Sequence, residues 1–167
     1  MRYYLDCEFN GMGGELLSLA LVRENGEAIY LVAKYSVGST NIDPWVRDNV
    51  LPVMGLDLKT AANPLLLCHH TDLYVTEFAD RIEHFLAGYP PPTIISDWPD
   101  DIKYFCELMI TGPGERIDTG GTHPDDNFGT TFEIHRVDSY PTTLPGAVQH
   151  NAYWDAMALR HKLTGAA

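Results

Sequence analysis

Two hydrophobic periodicities alternate along the chain and outline its elements. Residues 3–9 are aromatic or apolar apart from Asp6 and Glu8, and residues 16–22 and 28–33 are nearly unbroken apolar runs, so each predicts a strand. Gly11, Gly13 and Gly14 mark the first turn, and Asn25-Gly26 is a hairpin signal, which gives a three-stranded antiparallel start. Asp43-Pro44 offers an N-cap with proline at the first helical position, and Trp45, Val46, Val50 and Leu51 follow at helical spacing. From about Thr76 to Leu86, the residues Phe78, Ile82, Phe85 and Leu86 form one apolar stripe, a helix ended by Gly88 and three prolines. Residues 93–96 predict a short buried strand. Asp97-Trp98-Pro99 turns it into a helix carrying Ile102, Phe105, Cys106 and Met109. The stretch 111–139 is rich in Gly, Pro, Thr and Asp, with one strand signal at 131–137, and residues 148–163 predict a closing helix stopped by Gly165.

This order predicts an α/β fold: one mixed sheet, antiparallel in its first three strands and then parallel, flanked by helices. No repeat or long linker divides the chain, and 167 residues suit a single domain, residues 1–167. A chain of that size hides roughly 70% of its unfolded surface. Hydrophobic residues make up 45% and charged ones 20%, and no apolar stretch is long enough to cross a bilayer. Asp6 and Glu8 interrupt the apolar N-terminus where a secretory signal needs an unbroken core. Cys7, Cys68 and Cys106 are widely spaced with no C-x-x-C pair, which fits a reducing compartment, so a cytoplasmic protein is expected.

The net charge of −12 argues against a binder of long duplexes, whose phosphates need Lys and Arg. It leaves room for an enzyme that grips strand ends through bound cations. On the first strand Tyr4, Asp6 and Glu8 share one face, with Cα atoms of the two acids roughly 6.7 Å apart by the strand rise. Both carboxylates can then converge on metal ions about 3.5 to 4 Å apart. Solvated acids on an exposed face are the plain alternative, since 14 Asp and 9 Glu make about one chance D-x-E match. Acids in a central strand, however, require a cation or donors to offset their desolvation.

Asp97, Asp100 and Asp101 sit where a buried strand hands over to a helix, the position at which ligands bind in open α/β sheets. Asp97 suits the N-cap and Asp100 the first turn, which leaves Asp101 as the metal ligand and Asp97 as its main competitor. His150 and Asp155 lie five residues apart, about 140° on an ideal helix, and converge only if His150 stands at the frayed start. Each pattern alone is near chance.

Their order carries the specificity. Asp6-x-Glu8 in the first strand, Asp101 before Tyr104-Phe105 at a strand-to-helix junction, and His150-x4-Asp155 near the C-terminus follow the sequence of three exonuclease motifs. The chain resembles the DEDDh family of 3′→5′ exonucleases, which have a ribonuclease H-like fold and include oligoribonuclease and ribonuclease T. Trp45-Val46 and Asn49-Val50-Leu51 look like a small bacterial and phage branch related to a mycobacterial exoribonuclease. The motifs cover residues 3–9, 94–105 and 148–157. One departure is bulky Tyr153-Trp154 between His150 and Asp155, where relatives often carry small residues.

The resemblance implies that Asp6, Glu8, Asp101 and Asp155 hold two Mg²⁺ or Mn²⁺ ions and that His150 is the general base. Nucleoside 5′-monophosphates would leave the 3′ ends of RNA or single-stranded DNA, from an enzyme working as a homodimer. Tyr4, Phe9, Trp98 or Tyr104 are candidates to stack terminal bases, against an ordinary role in the core. Two other classes compete: a non-catalytic nucleic-acid or protein-binding module on the same fold, and a zinc enzyme built on Cys68-His69-His70. The second is disfavoured because three adjacent ligands cannot easily surround one ion.

Overall fold

The computed structural model describes residues 1–34, 41–54, 66–117, 129–136 and 144–165, with the side chains of 68–72 also outside the described set. The elements in chain order are β1 (Arg2–Phe9), β2 (Leu16–Arg23), β3 (Ala28–Ala33), α1 (Pro44–Asn49), α2 (Leu51–Met54), β4 (Leu66–Leu73) and α3 (Thr76–Leu86). They continue with β5 (Thr93–Ser96), α4 (Pro99–Met109), β6 (Ile110–Gly112), β7 (Glu115–Arg116), β8 (Thr131–Ile134) and α5 (Ala152–Thr164). The fold is α/β. A six-stranded sheet runs β4-β3-β2-β1-β5-β8, and β6 and β7 form a separate two-stranded ribbon. The first three strands pair antiparallel, whereas β4 joins β3, β5 joins β1 and β8 joins β5 in parallel.

Strand alternation divides the apolar residues between two faces. Tyr3, Leu5, Cys7, Leu19, Leu21, Ile29, Leu31 and Ile94 face one core, which α3 and α4 cover with Phe78, Ile82, Phe85 and Phe105. Tyr4, Ala20, Val22, Tyr30, Val32 and Ile95 face the other, covered by Val46, Val50, Met54 and most of α5. The register of β1 against β2 shifts between Glu8 and Phe9, so Leu16 rejoins the face of Leu19 while Leu17 packs on the opposite one. Burial of each such Leu, Ile or Phe contributes about 1.5 to 3 kcal/mol, which is why β1, covered on both sides, is central.

The edge strand β4 went unread in the sequence because two histidines and Asp72 break its apolar run. Cys68, His69 and His70 lie on it, and the zinc alternative rests on side chains outside the described residues. The strand signal at 131–137 becomes β8, Thr131–Ile134; Val137 lies outside the described residues. Among the described residues no helix is long and apolar enough to cross a membrane.

Candidate active site

Pairing between β1 and β5 stops at Tyr4 and Ile95, although β1 continues to Phe9. The far end of β1 is therefore open on that side. Asp6 and Glu8 sit there, opposite Ala20 and Ser18 of β2, and both point to the α5 face as the alternation requires. The backbone leaving β5 folds over this opening. Ser96, fully buried, accepts a hydrogen bond from Trp98 N at 3.0 Å and donates to Asp101 Oδ2 at 2.7 Å.

That geometry corrects one expectation. Asp97 does not cap α4: the N-cap is Trp98, which makes no side-chain capping bond, and Ser96 organises the turn instead. A hydroxyl tucked beneath the turn leaves Asp97 to turn toward β1. The oxygens of Asp6, Asp97 and Asp101 lie within 4.8 Å of one another, so Asp101 and its competitor stand in the same group. Asp101 is the deeper of the two, only 1% exposed, and its position in the first turn of α4 is favourable for a negative charge.

The second group comes from the start of α5. Asn151 is the N-cap, accepting from Trp154 N at 3.3 Å, and His150 stands one residue before it. His150 has φ +64°, the left-handed region that costs a non-glycine residue about 1 to 3 kcal/mol. This bend, and not a frayed helical turn, brings His150 and Asp155 together. The backbone N–H of His150 donates to Asp155 Oδ2 at 2.9 Å, and ligand atoms of Glu8, His150 and Asp155 lie within 4.8 Å of one another. Tyr153 and Trp154, the departure noted in the motif, are buried in the core beneath α5, with Tyr153 against Tyr30. Bulk at those two positions is accommodated because neither faces the acids.

All five expected residues line one cavity of about 510 Å³, and Asp97, Asp43 and Asp100 line it with them. Burial and the neighbouring carboxylates raise Asp6, Glu8, Asp101 and Asp155. Asp6 is held well above the carboxylate range by desolvation and then by Asp101 and Asp155. Burial, then Asp155 and Asp101, pushes Glu8 up to about 8. Asp101 is pushed up to about 7 by burial against the bond from Ser96, and Asp155 to about 7 by burial against the bond from His150. Burial lowers His150, which favours the neutral imidazole. Clustered acids of this kind suit hard divalent cations, which take oxygen ligands and restore the missing counter-charge.

The aromatic candidates sort themselves by exposure. Tyr4 is fully buried, and Tyr104 is 5% exposed, stacked on Phe9 and bonded to the Gly14 carbonyl, so both belong to the fold. Trp98 is 58% exposed on the cavity rim, and Phe9 lines the wall. Two rim residues were not anticipated: Met12, 98% exposed, and Trp45, 53% exposed with its ring 4.8 Å from that of His150. The signal for Trp45 was available. Val46 and Val50 form the buried i, i+4 stripe of the first helical turns, and the residue before Val46 must then point about 100° away. No protein-family model matches the chain, and no curated protein matches it.

Proposed function

We propose that the protein is a metal-dependent 3′→5′ exonuclease of the DEDDh type, on a ribonuclease H-like fold. One observation carries the proposal: acids from β1, α4 and α5, far apart in sequence, converge into two adjacent ligand groups at the carboxyl end of the central strand. Asp6 and Asp101, with Asp97, would hold one cation, and Glu8 with Asp155 the other. Bound there, a pair of Mg²⁺ or Mn²⁺ ions supplies charge stabilisation for the attacking and leaving oxygens of a phosphodiester.

The rest falls to the chain itself. Asp155 accepts the His150 backbone N–H and so fixes the bend that aims the imidazole into the cavity. Trp45 sets its ring against that of His150 and limits its rotation. A neutral His150 accepts the proton of the attacking water as the water oxygen bonds to phosphorus and the bond to the 3′ oxygen breaks. A nucleoside 5′-monophosphate departs. The complete set of five residues supports an enzyme over a binding module that merely retained the fold. By the same resemblance, a cytoplasmic homodimer is the expected working form. Digestion of short RNA and single-stranded DNA with Mg²⁺ or Mn²⁺, and with EDTA, tests the proposal; unchanged activity of Asp6→Ala would sink it.

A further inference from the structure

His150 stands before the helical turns of α5, in its left-handed bend, and its ring meets that of Trp45 on α1. The placement of α1 therefore bears on the placement of the imidazole. Helix α1 is six residues long, and Val46 is its one buried side chain. Ile42 before it and Val50 after it reach the same core. Two amides tie the α1–α2 unit to the elements that carry the site. At the far end Asn151 Nδ2, next to His150, donates to the Val53 carbonyl at 2.9 Å. At the near end Asn10 holds the backbone that enters α1: its Oδ1 accepts from Asp43 N at 2.8 Å, and its Nδ2 donates to the Asn41 carbonyl at 3.0 Å. Asp43 in turn caps α1, accepting from Trp45 N and Val46 N. Asn10 directly follows β1, two residues after Glu8, and its own N–H is fixed on the Glu15 carbonyl at 2.9 Å.

Resting on the exonuclease proposal, we infer that Asn10 is a positioning residue for the general base: it pins α1 to the strand that carries Asp6 and Glu8, and through Trp45 holds the His150 imidazole in place. The acids and the base come from different elements, and productive geometry tolerates only about 0.5 Å. A misplacement of about 1 Å costs about 10²-fold in rate. Without the amide, α1 keeps its apolar seat and stays folded, but it can roll on that seat and carry Trp45 off the imidazole. The two ligand groups contain no residue of α1, so cation binding is spared.

The experiment measures Mn²⁺-dependent hydrolysis of bis(4-nitrophenyl) phosphate by the full chain and by Asn10→Ala, Trp45→Leu and the double variant. Asn10→Ala is expected to lower kcat about 10 to 100-fold, with KM and calorimetric Mn²⁺ affinity within about twofold of the parent. The double variant loses no more than Trp45→Leu alone, because the two residues act in series. Asn10→Asp keeps the acceptor for Asp43 N and recovers most of kcat. A readout without turnover is the NMR shift of the His150 ring protons in EDTA, assigned by their loss in His150→Gln. Asn10→Ala moves them toward their positions in Trp45→Leu. Unmoved His150 signals, unchanged kcat, or a double variant that multiplies the two single losses overturns the positioning role and leaves the exonuclease proposal standing. A parent protein that hydrolyses no phosphodiester in Mn²⁺ overturns the exonuclease proposal and, with it, the catalytic role of the Asn10 contact.

Discussion

His150 is the residue at which local backbone cost and chemistry meet. Its φ of +64° would favour glycine, yet a histidine occupies the bend, with its backbone N–H donating to Asp155. If that strain is retained for the sake of the side chain, His150→Gly lowers kcat by about 10² to 10⁴-fold while the melting temperature does not fall. A thermal melt beside a rate measurement checks both halves. The two acids of the β5–α4 junction separate by depth in the same way. Asp101 is buried on Ser96, whereas Asp97 is half-buried and above it, so Asp97→Asn weakens Mn²⁺ binding by about tenfold and Asp101→Asn by more. Calorimetric titration of the two variants orders them, and an equal or reversed loss contradicts the assignment of Asp101 as the principal ligand.

At the level of elements, α5 is seated by one amide. The fully buried side chain of Asn151 caps the helix through Oδ1, and its Nδ2 donates to the Val53 carbonyl at 2.9 Å, tying the helix to α2. Asn151→Ala loses both and is expected to cost about 2 kcal/mol in a denaturant melt; Asn151→Ser restores the cap and recovers about half. Elements of this kind were legible where the sequence carries a clear period or a stop signal. The β2–β3 hairpin at Asn25-Gly26, the Asp43-capped start of α1 and the α5 stop at Gly165 all appear as expected. The edge strand β4 was hidden by its polar residues, and the β6–β7 ribbon by its brevity, since two or three residues cannot display a period. Asp97 was misplaced for a different reason. The propensity of Asp for an N-cap could not reveal that Ser96, at the end of a buried strand, already held the turn. The five site residues could be named from motif order, but that His150 and Asp155 meet through a left-handed bend is a tertiary fact absent from any spacing.

For the molecule as a whole, the carboxylate cluster makes stability depend on pH and on cations. Asp101 and Asp155 are raised to about 7 and Glu8 to about 8, against roughly 4 in an unfolded chain. An acid whose pKa is higher in the folded state supports the fold fully below the unfolded value and loses that support as pH climbs through the folded one. The cation-free protein should therefore lose thermal stability between about pH 4 and pH 8. Divalent cation should restore it most at the alkaline end, by about 2.7 kcal/mol at a concentration a hundred times the dissociation constant. Melting curves in EDTA and in Mn²⁺ across that range test the sign. The most direct test of the central claim is the product of a defined short oligonucleotide labelled at its 5′ end, incubated with the protein in Mn²⁺. The account predicts a ladder shortening one residue at a time from the 3′ end with release of nucleoside 5′-monophosphate, abolished by EDTA and by Asp101→Asn. An intact oligonucleotide in Mn²⁺ and in Mg²⁺, or a ladder that persists in EDTA, would contradict it.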